Sequence, residues 1–451
     1  MRRRGWSVVL LVVFALLACR ILVALALVPP WQQPDENTHI ARVELQRNRI
    51  ALLDGSPDPA REGEILQSMA YYDWWEHRGR GWKTPSILPK DFTSVRLGVA
   101  VPAQNGADLP IYYLIVGRLL NWLPRLSIVE DLYVLRAIAA VFGMLTLWIA
   151  WLGARECLGA LGGTTVAVLL ALHPQFAIVS TAASPDSIVN FLGACVWWQA
   201  TLAMKRGSVL LPLSAMWSAA IAAAAADRMG VPLLLMAFVV SVVVVTLRRP
   251  FWGQKVFFTL PATAVCAVVA LGAAMWTLDT FGEIYALRAN FSRGWAPVPG
   301  AMTWNLFTNF TSSVHQSWWF SLGWGSYPPP AWWAAITVVL TALAAIGTGR
   351  RLFKDRQIDA RTRTLIALAV IGVAVQVSAV YWTYFRLGNG GQGKSLFPVL
   401  VPCLVLLWTG IEAWVPASRR VHAAAALVLL LALLDAAAWG LVAIPAYYAS
   451  L

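Results

Sequence analysis

The sequence is 451 residues long, and 59% of its residues are hydrophobic while only 13% are charged. This composition and a mean hydropathy of +0.64 exclude a soluble globular protein and predict a polytopic membrane protein. The formal net charge of +13 does not indicate a nucleic-acid partner, because most basic residues lie in short clusters between apolar runs, as membrane topology requires.

Apolar windows suited to crossing a bilayer recur along the chain. A span needs about 20 apolar residues, and the windows that meet or approach this length are 6–28, 129–153, 159–181, 187–203, 208–226, 230–247, 256–278, 331–349, 364–384, 395–415 and 421–443. We therefore predict an all-α integral membrane protein with about eleven transmembrane helices in a single domain, residues 1–451. The basic clusters then share one side, which the positive-inside rule makes cytoplasmic, so the amino terminus is expected inside and the carboxyl terminus outside.

The first window has three interpretations. Its apolar run continues to Val28, interrupted only by Arg20, and exceeds the roughly 7–15 residues typical of the apolar core of a signal peptide. This length favours an uncleaved membrane anchor. A cleaved signal peptide is one alternative, and a lipoprotein signal is the other, because "LLAC" ending at Cys19 loosely resembles a lipobox.

Two segments lack the pattern of a span, residues 30–128 and 279–330, and both fall outside in this topology. Long segments of this kind are usually functional or disordered. The first contains "ENTHIARVELQRNRIALL", which follows a helix-start signal at Pro34 and Asp35, and "LPIYYLIVGRLLNWLP", which is apolar but too short to cross. We predict that both form amphipathic helices lying along the outer face of the membrane.

Asp35 is the first candidate for chemistry. On a helix that begins there, Asp35, His39, Arg42 and Gln46 share one face, which places an acid or base beside cationic or protonatable groups. The alternative is that Asp35 caps the helix and Glu36 complements its dipole, while the histidine and arginine contact lipid headgroups. Spacing alone favours the cap.

Other outward-facing polar residues carry weaker signals. Asp186 begins a span, where capping is the usual role and a site role is the alternative. Arg136, at the outer end of a span, needs a partner or a path to the interface. In "YFRLGNGGQGKSLFP", Arg386 and Lys394 accompany four glycines whose backbone lets an anion approach closely, although a solvated turn explains this loop nearly as well.

Two further pairs have competing interpretations. Asp227 and Arg228 lie in a tight outer turn and either pair with each other or face a site. Trp318 and Trp324 belong to a chain with 24 tryptophans, for which an aromatic belt at the membrane interface is the favoured role. Stacking on a sugar or lining a lipid groove is the alternative for these rings.

Six fragments, taken in order, resemble a known family. They are "PDENTH", "LPIYYLIVGRLL", "LRAIAAVFG", "HPQFAIVSTAASPDS", "WWFSLGWGSYPPP" and "GGQGKSLFP". Their order and their placement relative to the apolar windows resemble the bacterial membrane proteins of the domain of unknown function 2142 family. That family looks like a branch of the C superfamily of glycosyltransferases, and the resemblance runs from about residue 6 to about residue 415.

The resemblance implies a bacterial cytoplasmic-membrane enzyme that uses polyprenyl-phosphate sugars, with its active site facing outside. In the C superfamily an acidic residue in the first outer loop, similar in position to Asp35 or Glu36, serves as catalytic base or contacts a metal. The arginine of the family's glycine-rich segment, usually followed by an aromatic residue, falls here on Lys394 without the aromatic residue. Lysine keeps the charge but loses the bidentate fork for phosphate, so Arg386 is expected to share that role.

Elementary chemistry suggests how such residues divide the work. A lipid phosphate is a good leaving group, so transfer needs mainly a base for the acceptor hydroxyl and positive charge for the phosphate. One carboxylate suffices for a single displacement with inversion. We assign Asp35 as the base, with Glu36 positioning it, the acceptor or a divalent metal such as Mg²⁺ or Mn²⁺. The residues expected to bind the donor phosphate or other parts of the substrate are His39, Arg42, Tyr112, Tyr113, Arg136, Asp186, Arg228, Trp318, Trp324, Arg386, Gln392 and Lys394.

The expected partners are a polyprenyl-phosphate sugar donor, a glycan or lipid-linked acceptor, and membrane lipids. A transporter or flippase of lipid-linked sugars is the main alternative. Such proteins place polar residues at the bilayer midplane, whereas the spans here are largely free of charge near their centres. A noncatalytic protein of envelope-polysaccharide assembly is the third possibility, and Asp35 would then be dispensable.

Overall fold

A computed structural model of the chain describes residues 2–47, 59–78, 82–88, 111–206, 209–247, 304–355, 358–385 and 391–448. These residues form helices joined by short connections, and the β-structure among them is one isolated bridge between Leu322 and Tyr327. The predicted all-α class is therefore confirmed.

The helices are numbered along the described chain. They are α1 (Arg2–Leu27), α2 (Glu36–Arg47), α3 (Pro59–Tyr71), α4 (Trp74–Arg78), α5 (Ile111–Leu120), α6 (Ile128–Leu172), α7 (Pro174–Val179), α8 (Asp186–Lys205), α9 (Leu210–Ala226), α10 (Pro232–Leu247), α11 (Trp304–Trp319), α12 (Ala331–Phe353), α13 (Ala360–Val380), α14 (Leu400–Glu412), α15 (Arg420–Ala438) and α16 (Ile444–Tyr448). Short 3₁₀ or π segments lie at Arg228–Gly230, Gly323–Gly325, Tyr381–Phe385, Gly393–Val399, Ala417–Arg419 and Trp439–Ala443.

Eight helical stretches within the described ranges are long and apolar enough to cross a membrane. The difference from the predicted eleven has identifiable sources. One is α6, which contains the window 129–153 and most of the window 159–181 in one helix assignment. A second is α9, whose 17 residues fall short of a span. The predicted window 256–278 lies outside the described residues.

The two parts of α6 fold back on each other at Gly159. This glycine has a φ of 79° and a ψ of −174°, a backbone conformation that is essentially restricted to glycine. A Cβ atom added to Gly163 would lie 2.6 Å from the Cα of Arg155, a proximity that a continuous helix does not allow between residues eight apart. The reversal therefore makes α6 a helical hairpin, and α7 continues its second arm beyond a break at Pro174.

Basic residues gather at one end of the bundle. Helix α8, about 30 Å long by its rise per residue, starts at Asp186 and ends at Lys205, whose Nζ lies 3.6 Å from a carboxylate oxygen of Asp359. At the same end Arg206 Nε lies 3.2 Å from Glu156 Oε1. The starting residue of α8 is thus at the opposite end from these charges.

The first outer segment is built around α2. Every residue of this helix is buried, so protein encloses it on all sides and it does not lie on the membrane surface with one face exposed. It packs closely on α5, where a Cβ on Gly117 would lie 3.0 Å from the carbonyl oxygen of Val43. Arg47 Nη1 lies 3.0 Å from Asp131 Oδ2 and ties the end of α2 to α6.

A charged pair also lies inside two of the candidate spans. Arg20 Nε of α1 donates to Asp435 Oδ2 of α15 at 2.9 Å, and both side chains are buried. Arg20 also donates to the carbonyl oxygen of Ala171, near the end of α6. The spans are therefore not uniformly free of charge, and Arg20 satisfies a carbonyl near the break at Pro174.

Candidate active site

A polar cavity of about 690 Å³ lies between the starts of α2 and α8, the segment Gly393–Val399, and α11. Its volume is in the range of small-molecule sites. The sequence-predicted residues that line it are Asp35, His39, Asp186, Arg228, Gln392 and Lys394. Segments far apart in the chain therefore contribute candidate residues to a single cavity.

Asp35 stands directly before α2, as its sequence context predicted. Its carbonyl oxygen accepts a hydrogen bond from the His39 amide at 2.9 Å, and its φ of 67° is in the left-handed region. Aspartate is one of the few residues enriched there. The strained backbone is the kind that surrounding structure must hold in place, and such residues cluster at functional sites.

Arg78, at the end of α4, lines the cavity near Asp35 and was not among the candidates from sequence. Burial, the larger effect, lowers the pKa of Arg78, and the Asp35 carboxylate acts in the opposite direction. The guanidinium lies 5.0 Å from the ring of Trp74 and 5.2 Å from that of Trp82. No spacing rule connects residues 35 and 78, so only the fold reveals this cation.

His39 is a buried, neutral member of the cavity wall. Its Nδ1 lies 2.8 Å from the hydroxyl oxygen of Tyr113. Burial, followed by the positive charge of Lys394, lowers the pKa of His39 to about 3. The ring is therefore neutral near pH 7 and offers hydrogen bonds rather than charge to a ligand.

The face predicted on α2 is only partly directed at the cavity. Asp35 and His39 line it, but Arg42 is 1% exposed and its guanidinium lies 4.0 Å from the centre of the Tyr113 ring. Gln46 is also buried away from the lining. Two of the four residues on the predicted face therefore line the cavity, and the neighbouring helices cover the other two.

Lys394 and Asp186 form the charged pair of the cavity. Lys394 Nζ donates to Asp186 Oδ2 at 2.9 Å, and Ser184 Oγ donates to the same oxygen at 3.1 Å. The N-cap residue of α8 is Pro185, so the Asp186 carboxylate binds these partners instead of capping the helix.

Glycines allow the segment before Lys394 to lie against α11. A Cβ on Gly393 would overlap the backbone nitrogen of Trp318. The Gly393 amide donates to Ser317 Oγ at 2.8 Å, and Ser313 Oγ donates to the Gly391 carbonyl at 3.1 Å. These contacts place Lys394 at the cavity wall.

The turn that carries Arg228 is held beside this segment. The Asp227 carboxylate accepts a hydrogen bond from the Met229 amide at 2.6 Å. Gln376 Nε2 then donates to the Met229 carbonyl at 3.1 Å and to the Ser395 carbonyl at 2.8 Å. Arg228 and Lys394 therefore reach the cavity from two backbone segments joined by one buried amide.

Glu36 does not line the cavity. It is fully buried, and its carboxylate accepts from Arg136 Nη2 at 2.7 Å and Nε at 2.8 Å and from the Ala183 amide at 3.2 Å. Arg136 also donates to the carbonyl oxygens of Val28 and Pro29, each at 2.9 Å. The pair thus joins the end of α1, the start of α2, α6 and the segment before α8.

The other candidates lie elsewhere. Tyr112 is buried outside the lining, and burial raises its pKa. Trp318 packs on His173, with ring centres 4.6 Å apart. The Trp324 side chain and Arg386 lie outside the described residues.

The sequence analysis also missed one face of α11. Asn309, Ser312, Ser313, Gln316 and Ser317 all line the cavity. Their spacing of three, four, seven and eight residues from the first is that of one helical face. This signal was present in "NFTSSVHQSWW" and marks polar residues on a helix flanked by apolar ones.

The family resemblance implied that an acidic residue of the first outer segment serves as catalytic base or contacts a metal ion. The described residues contain no group of three or more His, Cys, Asp or Glu side chains placed to hold one. Of the lining carboxylates, Asp186 binds Lys394 and Asp227 binds a backbone amide. These residues do not form a fitting set of ligands for a metal ion.

No protein-family model matches the sequence, so membership of the domain of unknown function 2142 family is not confirmed. No curated protein matches it either.

Among solved structures, the chain is similar to ArnT from Cupriavidus metallidurans in the apo state, with 13% identity and a TM-score of 0.48 over 91% of this chain and 60% of that one. For the same protein bound to undecaprenyl phosphate the identity is 14% and the TM-score is 0.47, over 98% of this chain and 75% of that one. For the apo oligosaccharyltransferase of Archaeoglobus fulgidus the identity is 13% and the TM-score is 0.45, over 94% of this chain and 56% of that one. The chain thus spans less than two thirds of the apo ArnT and oligosaccharyltransferase chains.

Proposed function

We propose that this protein is a membrane glycosyltransferase of the C superfamily, related to the domain of unknown function 2142 family. It transfers a sugar from a polyprenyl-phosphate donor to a glycan or lipid-linked acceptor. The cavity faces the outside of a bacterial cytoplasmic membrane, because it lies at the end of α8 opposite the basic residues that the positive-inside rule places in the cytoplasm. The amino terminus is then inside and the carboxyl terminus outside.

One observation carries the proposal. A carboxylate at a strained helix start, Asp35, shares a polar cavity with the cations Lys394 and Arg228, at one end of a bundle of apolar helices. A lipid-linked phosphate substrate presents an anion at the membrane surface and a hydroxyl acceptor beside it. Its transfer requires a base and positive charge within reach of each other.

The reaction is a single displacement. The Asp35 carboxylate takes the proton of the acceptor hydroxyl as the hydroxyl oxygen bonds to the anomeric carbon of the sugar. The bond between that carbon and the phosphate oxygen breaks, and the electron pair leaves with the phosphate. Lys394 and Arg228 stabilise the growing charge on that oxygen. Configuration at the anomeric carbon is inverted, since no covalent enzyme intermediate forms.

Glu36 acts as a positioning residue in this proposal. Its carboxylate is saturated by Arg136 and the Ala183 amide, so it anchors the first residue of α2 rather than contacting substrate. The adjacent Asp35 is thereby held at the cavity wall in its left-handed conformation. Its neighbour Arg78 supplies a compensating positive charge.

The proposal is tested with Asp35→Asn in purified full-length protein, using a polyprenyl-phosphate sugar and an acceptor glycan. Asp73→Asn is the matched control, because Asp73 is another aspartate of the first outer segment with a positive φ, 51°, but lies outside the cavity lining. Loss of a general base lowers turnover by about 10²–10⁴-fold. We expect this loss for Asp35→Asn with donor binding retained, and near-normal turnover for the control.

Two outcomes would overturn the proposal. Undiminished transfer by Asp35→Asn would remove the base from the mechanism. Movement of the intact lipid-linked sugar across proteoliposomes, unaffected by Asp35→Asn and without any transfer, would identify a transporter instead.

A further inference from the structure

One face of α11 presents uncharged polar side chains to the cavity. It consists of Asn309, Ser312, Ser313, Gln316 and Ser317, and we call it the polar face of α11. The charged side chains of the lining come from other elements, namely the segment before α2, α4, the start of α8, the turn before α10 and the segment Gly393–Val399. The cavity is therefore divided into a charged part and a neutral part.

The neutral part keeps hydrogen-bonding capacity for a ligand. Ser313 and Ser317 bind the glycine segment beside Lys394. Within the described chain, the side chains of Asn309, Ser312 and Gln316 make a single hydrogen bond, from Gln316 Nε2 to Ser312 Oγ at 3.3 Å. Hydroxyl and amide groups both donate and accept. Sugar hydroxyls do the same, so the two surfaces are chemically complementary.

We propose that the polar face of α11 binds the sugar ring of the donor, and that this ring is uncharged. The inference rests on the proposed function and names its substrate class. In such a donor the ring is bonded directly to the phosphate. The polar face is likewise joined by two hydrogen bonds to the segment that places Lys394, the proposed phosphate ligand.

The absence of charge on this face selects among sugars. An amino sugar or a uronic acid carries a charge. Its transfer from water into the cavity would require an opposite charge at its binding surface, because burial of an unpaired charge is costly. The side chains that α11 contributes to the lining carry none. A neutral hexose needs only hydrogen bonds, and a site built to make them discriminates strongly against ligands that leave them unpaired.

The test measures dissociation constants of the purified full-length protein for undecaprenyl phosphate and for its derivatives carrying a neutral hexose (glucose, galactose or mannose), an amino sugar or a uronic acid. The variant Asn309→Ala/Ser312→Ala/Gln316→Ala removes the ligand-facing groups without touching the serines that hold the glycine segment. Thr308→Ala is the control, since Thr308 is an exposed residue of α11 outside the lining whose hydroxyl donates to the Asn305 carbonyl.

We expect wild type to prefer one of the neutral hexose derivatives. The triple variant should bind that derivative about tenfold more weakly, as the loss of two or three hydrogen bonds implies, while its affinity for sugar-free undecaprenyl phosphate stays within about twofold of wild type. Gln316→Glu, which adds a charge at nearly constant size, should weaken the neutral hexose derivative and strengthen the amino sugar derivative. Thr308→Ala should match wild type.

Three results would overturn the inference: a wild-type preference for a charged sugar, an unchanged dissociation constant of the triple variant for the hexose derivative, or a raised KM for the acceptor alone in a transfer assay. The proposed function is tested separately by Lys394→Met. If that variant binds sugar-free undecaprenyl phosphate normally, the phosphate assignment fails even where the polar face proves to bind the ring.

Discussion

Asp186 and Lys394, 208 residues apart in the chain, meet at 2.9 Å across the wall of the polar cavity. Their approach depends on a close crossing deeper in the bundle. Gly193, seven residues into α8 from Asp186, lies so close to the carbonyl of Pro398 that a Cβ atom would overlap its oxygen. The charged pair at the cavity wall and the glycine crossing deeper in the bundle are therefore parts of a single contact between α8 and the segment Gly393–Val399.

Lys394→Met removes the positive charge of this pair at similar side-chain length. A charge-assisted hydrogen bond to phosphate is about twice as strong as a neutral one, so we expect affinity for undecaprenyl phosphate to fall at least tenfold, by direct binding measurement. Lys205→Met is the matched control. Lys205 lies at the end of α8 opposite Asp186, and it pairs there with Asp359. An equal loss in both variants would argue against a local phosphate site.

Gly193→Ala tests the crossing itself. Overpacking a close contact typically costs about 1–3 kcal/mol, and the shift of α8 away from Pro398 should separate Asp186 from Lys394. We expect a lower Tm and weaker phosphate binding together. Gly349→Ala is the control, since no atom lies within 4 Å of its added Cβ and alanine is the better helix former. A stable Gly193→Ala variant with normal binding would contradict this account of the crossing.

The parts of the site that follow local rules were predictable from sequence. The start of α2 after Asp35 and the four-residue spacing to His39 depend on helix geometry alone, and the structure places both residues at the cavity. Asp186 at the start of α8 and the glycines before Lys394 likewise belong to local patterns. What spacing did not decide was which of these residues meet, because that depends on helix packing across hundreds of residues.

The residues that sequence reasoning misplaced or missed are governed by that packing. Arg42 shares the predicted face with His39, but the Tyr113 ring of α5 covers it. Glu36 was expected to position Asp35, the acceptor or a metal ion, but the sequence did not indicate that its partner would be Arg136, which binds its carboxylate. Arg78 reaches the cavity from α4, and no periodicity connects it to the other residues.

The Glu36–Arg136 pair is expected to matter for stability more than a surface ion pair would. Removing one partner of a buried pair costs about 3–5 kcal/mol, because the other charge stays buried. Arg136→Met should be the more damaging, since it also leaves the Val28 and Pro29 carbonyls without this donor. Glu36→Gln should follow, as measured by Tm in detergent.

Glu130→Gln is the control for this prediction. Glu130 forms an exposed capping box with Ser127 at the start of α6, and glutamine can take its place in such a box, so this replacement should leave the Tm nearly unchanged. If Arg136→Met were no less stable than Glu130→Gln, the pair would not anchor α2 as proposed.

His39 predicts a specific dependence of stability on pH. Its pKa is about 3 in the folded protein, below the ordinary 6.5 that applies to the unfolded chain. The contribution of His39 to stability is therefore fully present above pH 6.5 and is lost as the pH falls toward 3, because only the unfolded chain takes up the proton. The slope below pH 6.5 is about 1.4 kcal/mol per pH unit for one such group.

His39→Gln should remove this contribution to the slope, because the variant lacks the group that takes up the proton on unfolding. The structure at neutral pH should stay intact, since glutamine can still form a hydrogen bond with Tyr113. The measurement is the unfolding free energy in detergent at pH 7 and pH 5 for wild type and variant. His422→Gln, at an exposed position near the start of α15, is the control. Parallel pH dependences of wild type and His39→Gln would show that His39 takes up its proton equally in both states.

Arg20 makes two kinds of contact, one with the Asp435 carboxylate and one with a backbone carbonyl, and substitutions can separate their effects. Arg20 neutralises Asp435 inside the membrane bundle and also donates to the Ala171 carbonyl beside the break between α6 and α7. Asp435→Leu alone leaves a buried cation, and Arg20→Leu alone leaves a buried carboxylate, so each should lose about 3–5 kcal/mol.

The double variant Arg20→Leu/Asp435→Leu contains neither charge, so it should recover most of that loss, with about 1–3 kcal/mol remaining for the Ala171 carbonyl. The break also orients Gln175 of α7, whose Oε1 accepts from the Ser321 amide at 2.7 Å at the cavity wall. We therefore expect the double variant to have a Tm between those of the single variants and wild type, together with weaker donor binding. A double variant as unstable as the single variants would mean that Arg20 acts chiefly on the helix break rather than on Asp435.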